Sequence, residues 1–247
     1  MMTIAEQLYS YVDEYKDFIG TSLFPSFNLQ SRTASISTAD SQGFEVVAAS
    51  NYQLATRQHT LTVSTNIALT KYVVFHEFTH MLDTELHTNG DKMRYLGLSG
   101  YTEYHASQVE LAQLLGCKAI NSIEPFSMST RVTTITGPKS VFQYVQEKQQ
   151  HAIELFSRSD FPASVNTLKS AFGVLYNYWG LRSICEMYST DYEERIDNSA
   201  FLRHIPSTYF ILLNRLMHGW LDNEKINKSI PLYANTIIPI IQNYKLL

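Results

Sequence analysis

The chain has only two cysteines, Cys117 and Cys185, and neither belongs to a CxxC pair. This excludes a cysteine-rich zinc ribbon and argues against a disulfide framework. Basic runs are also lacking: 19 Lys and Arg stand against 23 Asp and Glu, for a formal net charge of -4 and a pI near 6.1. No basic stripe invites nucleic acid, and no polybasic segment suggests a membrane surface. No apolar run approaches the roughly eighteen residues of a membrane span. The opening residues, MMTIAEQLYSYVDEYKDF, carry acids where a secretory signal needs a basic start and an apolar stretch. Internal repeats and low-complexity tracts are missing too. The expectation is a soluble, cytoplasmic protein.

Apolar and aromatic residues are plentiful. Hydrophobic residues make up 45% of the 247 and charged ones 17%, with 16 Tyr and 13 Phe. Such a composition suits an ordered globular chain with a ring-rich core, as one large domain or two small ones.

Along the chain, Ile4, Leu8, Tyr11, Val12, Tyr15 and Ile19 recur at helical spacing. TASIST (33–38), FEVVAAS (44–50) and HTLTVST (59–65) are β-branched and separated by polar turns, which predicts a small antiparallel meander. Helix is expected again over 67–86 and 102–121. A Ser/Thr-rich stretch with a proline near each end, SIEPFSMSTRVTTITGP, marks 122–138 as a linker or exposed hairpin. Beyond it the pattern is helical, at about 139–157, 163–178, 180–189, 199–218 and 233–244, with breaks at Pro162, Gly180, Pro206 and Pro231. The fold class read from this is α+β: a small antiparallel sheet on an active-site helix and a second ligand helix (1–121), then a mainly helical half (139–247) with Trp179 and Trp220 in its core.

The chemistry-bearing stretch is VVFHEFTHMLD, residues 73–83. On a helix His76 and His80 lie about 40° apart and one turn along, so both imidazoles can reach one metal. Glu77 falls on the flank of that face, too far round to be a ligand yet close enough to act as general base. Val74, Phe78 and Met81 cover the opposite side. Zinc held by two imidazoles and a carboxylate keeps an open position for water and lowers its pKa towards about 7.

A third ligand is needed. His87 lies about 10 Å further along the axis and cannot join the pair. Asp83 suits a place behind the ligands, orienting His80 or a neighbour. The following segment, LSGYTEYHASQVELAQLLGC, opens after Gly100 with Thr102 as N-cap and carries Glu103, His105 and Glu110. Glu103 and Glu110 share a face that His105 does not. Glu103 is the chosen ligand and His105 the alternative, while Glu110 reads as a solvated charge or as a hydrogen-bond partner of a ligand histidine. Tyr101, Tyr104 and His105 are candidate oxyanion donors.

HEFTH followed by a second helix with a glutamate resembles the gluzincin branch of the zincins, of which thermolysin is the familiar member. The smaller layout is closest to the ImmA/IrrE-type bacterial metallopeptidases, whose second helix reads like E-x-E-A-x-x-x-A-x-x-L-L. HTLTVSTNIALTKYVVFHEFTH is similar to their strand-to-helix passage and TEYHASQVELAQLL to their second helix, over about residues 33–118. His105 stands where that pattern has its second glutamate, and the spacing to Leu114 and Leu115 differs by one. The resemblance implies a bacterial zinc metallopeptidase acting on a protein or peptide, in the regulatory case another regulator, with residues 59–65 offering a strand edge to substrate. The alternative is a non-catalytic regulatory or protein-binding module on the same scaffold.

Overall fold

The computed structural model describes residues 3–33, 47–194 and 197–246. Among these, the first helix, α1 (Ile4–Ile19), starts at a capping box in which Thr3 and Glu6 satisfy each other's main-chain N–H, and ends at Gly20 in the left-handed region. Its buried Tyr15 donates to Thr79 Oγ1 at 3.0 Å, and Thr79 donates on to Phe75 O at 2.8 Å. That bond and the rings of Phe24, Phe75 and Phe78 around Tyr15 fasten α1 to the helix α2 (Lys71–His87).

The sheet is mixed rather than an antiparallel meander. Strands β1 (Phe27–Arg32), β2 (Ala48–Gln53) and β3 (Gln58–Ser64) stand in the order β1-β3-β2. β2 pairs with β3 antiparallel, as expected, but β1 pairs with the far side of β3 in parallel. β1 is mostly polar and exposed, so it carries no hydrophobic alternation by which to be recognised. The expected TASIST strand lies outside the described residues apart from Thr33, and FEVVAAS is described only from Val47. β3 is therefore central and saturated on both sides. Among the described residues β1 and β2 are the outer strands, which corrects the assignment of residues 59–65 as the substrate-binding edge.

α2 begins at Lys71, four residues later than the periodicity suggests. Ser64 Oγ donates to Asn66 Oδ1 at 2.7 Å, a local bond that holds the chain in a turn ahead of the helix. α2 is buried on nearly every side, with Val73, Val74, Phe75, Phe78 and Met81 each worth about 1.5–3 kcal/mol of burial.

The next helix, α3 (Lys92–Leu114), starts ten residues before the expected Thr102. Its N-cap is Asp91, which accepts from Arg94 N at 2.7 Å, after a turn in which Asn89 and Gly90 take positive φ. Gly100, placed before the helix by the sequence pattern, and Gly97 both lie inside the helix for packing reasons. A Cβ on Gly97 would stand 2.3 Å from Ile230 O, and one on Gly100 2.6 Å from the Tyr176 and Tyr233 rings.

Residues 122–138 hold a loop and then the start of a hairpin, β4 (Arg131–Thr134) with β5 (Gly137–Ser140). Helices α4 (Val141–Ser157), α5 (Val165–Tyr188), α6 (Ser199–Leu202), α7 (Ser207–Leu216) and α8 (Asn223–Asn243) follow. α5 runs unbroken through Gly180, again for close approach: a Cβ there would meet Tyr104 O at 2.2 Å. α8 runs through Pro231 and Pro239 and starts ten residues earlier than expected. Trp179 is buried, whereas Trp220 is only partly covered. One continuous buried cluster includes residues from α1 to α8. No helix of the described residues is long and apolar enough to cross a membrane.

Candidate metal centre

α2 and α3 pack side by side and bring three ligand atoms together. His76 Nε2 lies 3.8 Å and His80 Nε2 3.6 Å from Glu103 Oε2, and the group His76, His80 and Glu103 could hold a metal ion. Tetrahedral zinc with bonds of 2.0–2.1 Å would separate its ligand atoms by about 3.3 Å, and the three ligand atoms here all lie within 4.8 Å of one another.

The two imidazoles are fixed from behind by different means. His76 Nδ1 is 2.8 Å from Glu110 Oε2, and His80 Nδ1 is 2.9 Å from Thr102 Oγ1. The Glu110 carboxylate can only accept, so it selects the His76 tautomer with hydrogen on Nδ1 and leaves the Nε2 lone pair facing Glu103, whereas the Thr102 hydroxyl can serve His80 Nδ1 as donor or acceptor. Thr102, expected as a helix cap, instead sits one turn into the site wall. Glu110, read first as a solvated charge, is 0% exposed.

Glu103 Oε2 is the unusual atom. It is out of reach of water and has no hydrogen-bond partner among the described residues. A buried carboxylate oxygen left unpaired is costly, and a cation between it and the two imidazoles would remove the cost. The donor set, two neutral imidazoles and one carboxylate, is one that zinc accepts.

The protonation tendencies differ among the three. Burial, reinforced by the charge of His76, pulls the pKa of His80 down to about 4. Burial also opposes charge on His76, but the hydrogen bond and charge of Glu110, with Glu77 and Glu103, outweigh it and raise the value. Desolvation raises Glu103, against the charge of His76 and a hydrogen bond from Asn177.

Glu77 flanks the trio. Its Oε2 accepts from both Ser50 N and Ser50 Oγ at 2.7 Å, which ties it to the outer side of β2. The Ser50 N–H thus points away from β3, as does Tyr52 O, which accepts from Tyr95 Oη at 3.4 Å. The site cavity of about 190 Å³ is walled by β2, α2 and the start of α3. It shares Ser50, Tyr95, Ser99 and Glu103 with a groove of about 600 Å³ that continues to Lys92 and Lys169.

Comparison with protein-family models, curated proteins and solved structures finds no match for this chain.

Other expected residues lie elsewhere. His105 Nδ1 is 3.0 Å from both oxygens of Asp83, so Asp83 orients His105 rather than His80, and neither belongs to the ligand group. Tyr104 donates to Gly219 O at 2.5 Å and Tyr101 lies against His105; the cavity lining includes none of the three proposed oxyanion donors but does include Tyr95. His87 stacks edge-on to Tyr101, away from the group. The sequence reading missed Ser50, His59, Tyr95, Tyr144 and Asn177. The alternation of β2 could have pointed to Ser50. The others carry no local signal.

Proposed function

We propose that this chain is a zinc-dependent metallopeptidase of gluzincin type, with His76, His80 and Glu103 as ligands and Glu77 as general base. The observation that carries the reading is Glu103 Oε2, buried and unpaired, 3.6 and 3.8 Å from two imidazole Nε2 atoms, with Glu77 alongside.

When bound, zinc supplies Lewis acidity, acidifying water and polarising a carbonyl at its open position. The remaining work falls to the chain. Ser50 occupies Glu77 Oε2, which leaves Oε1 to take a proton from the attacking water. Glu77 then delivers that proton to the amine nitrogen as the C–N bond breaks, giving a carboxylate and a free amine. A peptide can lie in the cavity walled by β2, α2 and α3, where Ser50 N–H and Tyr52 O are already engaged by Glu77 and Tyr95. The groove beyond is long enough in lining to take several residues, which favours a protein or peptide over a small ester.

Protein prepared without chelator should hold about one equivalent of zinc, and Glu77→Gln should keep it while losing hydrolysis of a peptide library. Absence of zinc from such a preparation defeats the proposal. Stoichiometric zinc with no cleavage of any peptide would favour the non-catalytic binding module.

A further inference from the structure

The helical half of the chain touches the site from behind. Glu110 is wholly buried, and each of its oxygens faces a donor: Oε2 meets His76 Nδ1 at 2.8 Å, and Oε1 accepts a hydrogen bond from Tyr144 Oη on α4. We infer that Tyr144 is a positioning residue of the metal centre, acting through Glu110 on His76, an inference that rests on the zinc reading above.

Three observations place α4 and its neighbours in this role. Lys148, one turn beyond Tyr144, puts its charge near enough to act on both Glu110 and Glu103. Asn177 on α5 hydrogen-bonds Glu103 and accepts from Ser107 Oγ at 2.7 Å. The hairpin that leads into α4 is pinned to α2, because Ile135 N donates at 2.7 Å to Tyr72 Oη, one turn ahead of His76. Side chains from α4 and α5 therefore reach both carboxylates that frame the ligand histidines.

The chemistry follows from the number of donors. A carboxylate bonded at one oxygen can still swing about its terminal torsion, while one bonded at both is fixed in plane and direction. Glu110 held by Tyr144 keeps its second oxygen on His76 Nδ1, so the proton stays on Nδ1 and the Nε2 lone pair stays aimed at Glu103. Loss of the Tyr144 hydroxyl leaves Oε1 without that donor in a site that water does not reach, and the imidazole loses its fixed orientation.

Tyr144→Phe removes only the hydroxyl and keeps the ring in the core. Three measurements go together: zinc affinity by competition with a chromophoric chelator, the metal-free thermal midpoint, and the tautomer of His76 from imidazole ¹⁵N shifts. The expected result is zinc binding about 10–100-fold weaker, with a smaller Nδ1–H population at His76. Lys148→Met, at a less buried position, should weaken zinc in the same direction and stands in if the tyrosine variant does not fold. A merely structural hydroxyl would lower the metal-free midpoint without changing the tautomer. Zinc affinity within about twofold of the parent, with an unchanged tautomer, overturns the inference alone. A parent protein that binds no zinc overturns the peptidase reading and this one with it.

Discussion

Ser50 gives both its main-chain N–H and its hydroxyl to one oxygen of Glu77, each at 2.7 Å. The proposed general base is thereby tied to β2 at the wall of the cavity. Glu77→Gln preserves shape and should retain zinc while lowering kcat by about 10²–10⁴-fold. Ser50→Ala keeps the amide and loses one charge-assisted bond, so kcat should fall by about tenfold. Steady-state kinetics beside metal analysis would check both, and a Glu77→Gln protein as active as the parent would remove the residue from the mechanism.

Glu103→Gln tests the unpaired oxygen. Without metal, the parent holds a buried carboxylate atom with no partner, so the neutral variant should be as stable as the metal-free parent or more so. With zinc the order should reverse, because ligand binding stabilises only a protein that holds it. Thermal midpoints with and without added zinc would show the crossing; parallel behaviour of the two proteins counts against a metal role.

The two histidines should differ in metal-free stability although both are needed for zinc. His76→Ala strips Glu110, which is 0% exposed, of one of its two hydrogen-bond donors, and losing a hydrogen bond to a charged group costs about 1.5–3 kcal/mol. His80→Ala leaves only the Thr102 hydroxyl without its partner, worth about 1 kcal/mol. Urea unfolding of the chelated proteins would measure the difference.

Zinc uptake should release protons from His76 and not from His80. The value for His80 is about 4, so that ring is already neutral at pH 6.5. The value for His76 is raised above its ordinary 6.5, so its proton must leave for Nε2 chemistry to proceed near neutrality. Zinc affinity should then decline as pH falls, starting above pH 6.5. In metal-free protein the same raised value adds stability that is full below pH 6.5 and is lost as pH rises through the folded value. Calorimetry in buffers of different ionisation enthalpy would count the protons, and none released at pH 6.5 would contradict the assignment.

Lys92 and Lys169 line the groove beyond the metal centre, from α3 and α5. Both are exposed, so each should favour an acidic peptide residue by only about threefold. Lys92→Ala with Lys169→Ala should raise KM for acidic peptides, leave neutral ones unchanged, and lose its effect at high salt. Equal effects on both peptide types would deny the lysines a part in selection.

Local pattern made His76, Glu77 and His80 legible, because a 3.6-residue period fixes which side chains share a helix face. It also placed the expected α+β character, the antiparallel β2–β3 pair, and the second helix with Glu103. It failed at α3, whose start is read after Gly100 although the helix runs back through Gly100 and Gly97 to Lys92. Glycine at a tight helix crossing looks the same in sequence as glycine in a turn, and only the Ile230, Tyr176 and Tyr233 contacts distinguish them. The same ambiguity divided α5 at Gly180. β1 escaped notice because a polar, exposed strand has no buried face to betray it.

The sequence by itself determined the two imidazoles and the base on one helix, since their spacing is set by covalent geometry and the helical repeat. The tertiary structure alone decided that Glu103 and not His105 faces them, that β2 lies at the cavity wall, and that Tyr144 stands behind Glu110. Those relationships join residues 22 to 34 positions apart or more, where packing of one helix on another, and not any local preference, sets what meets what.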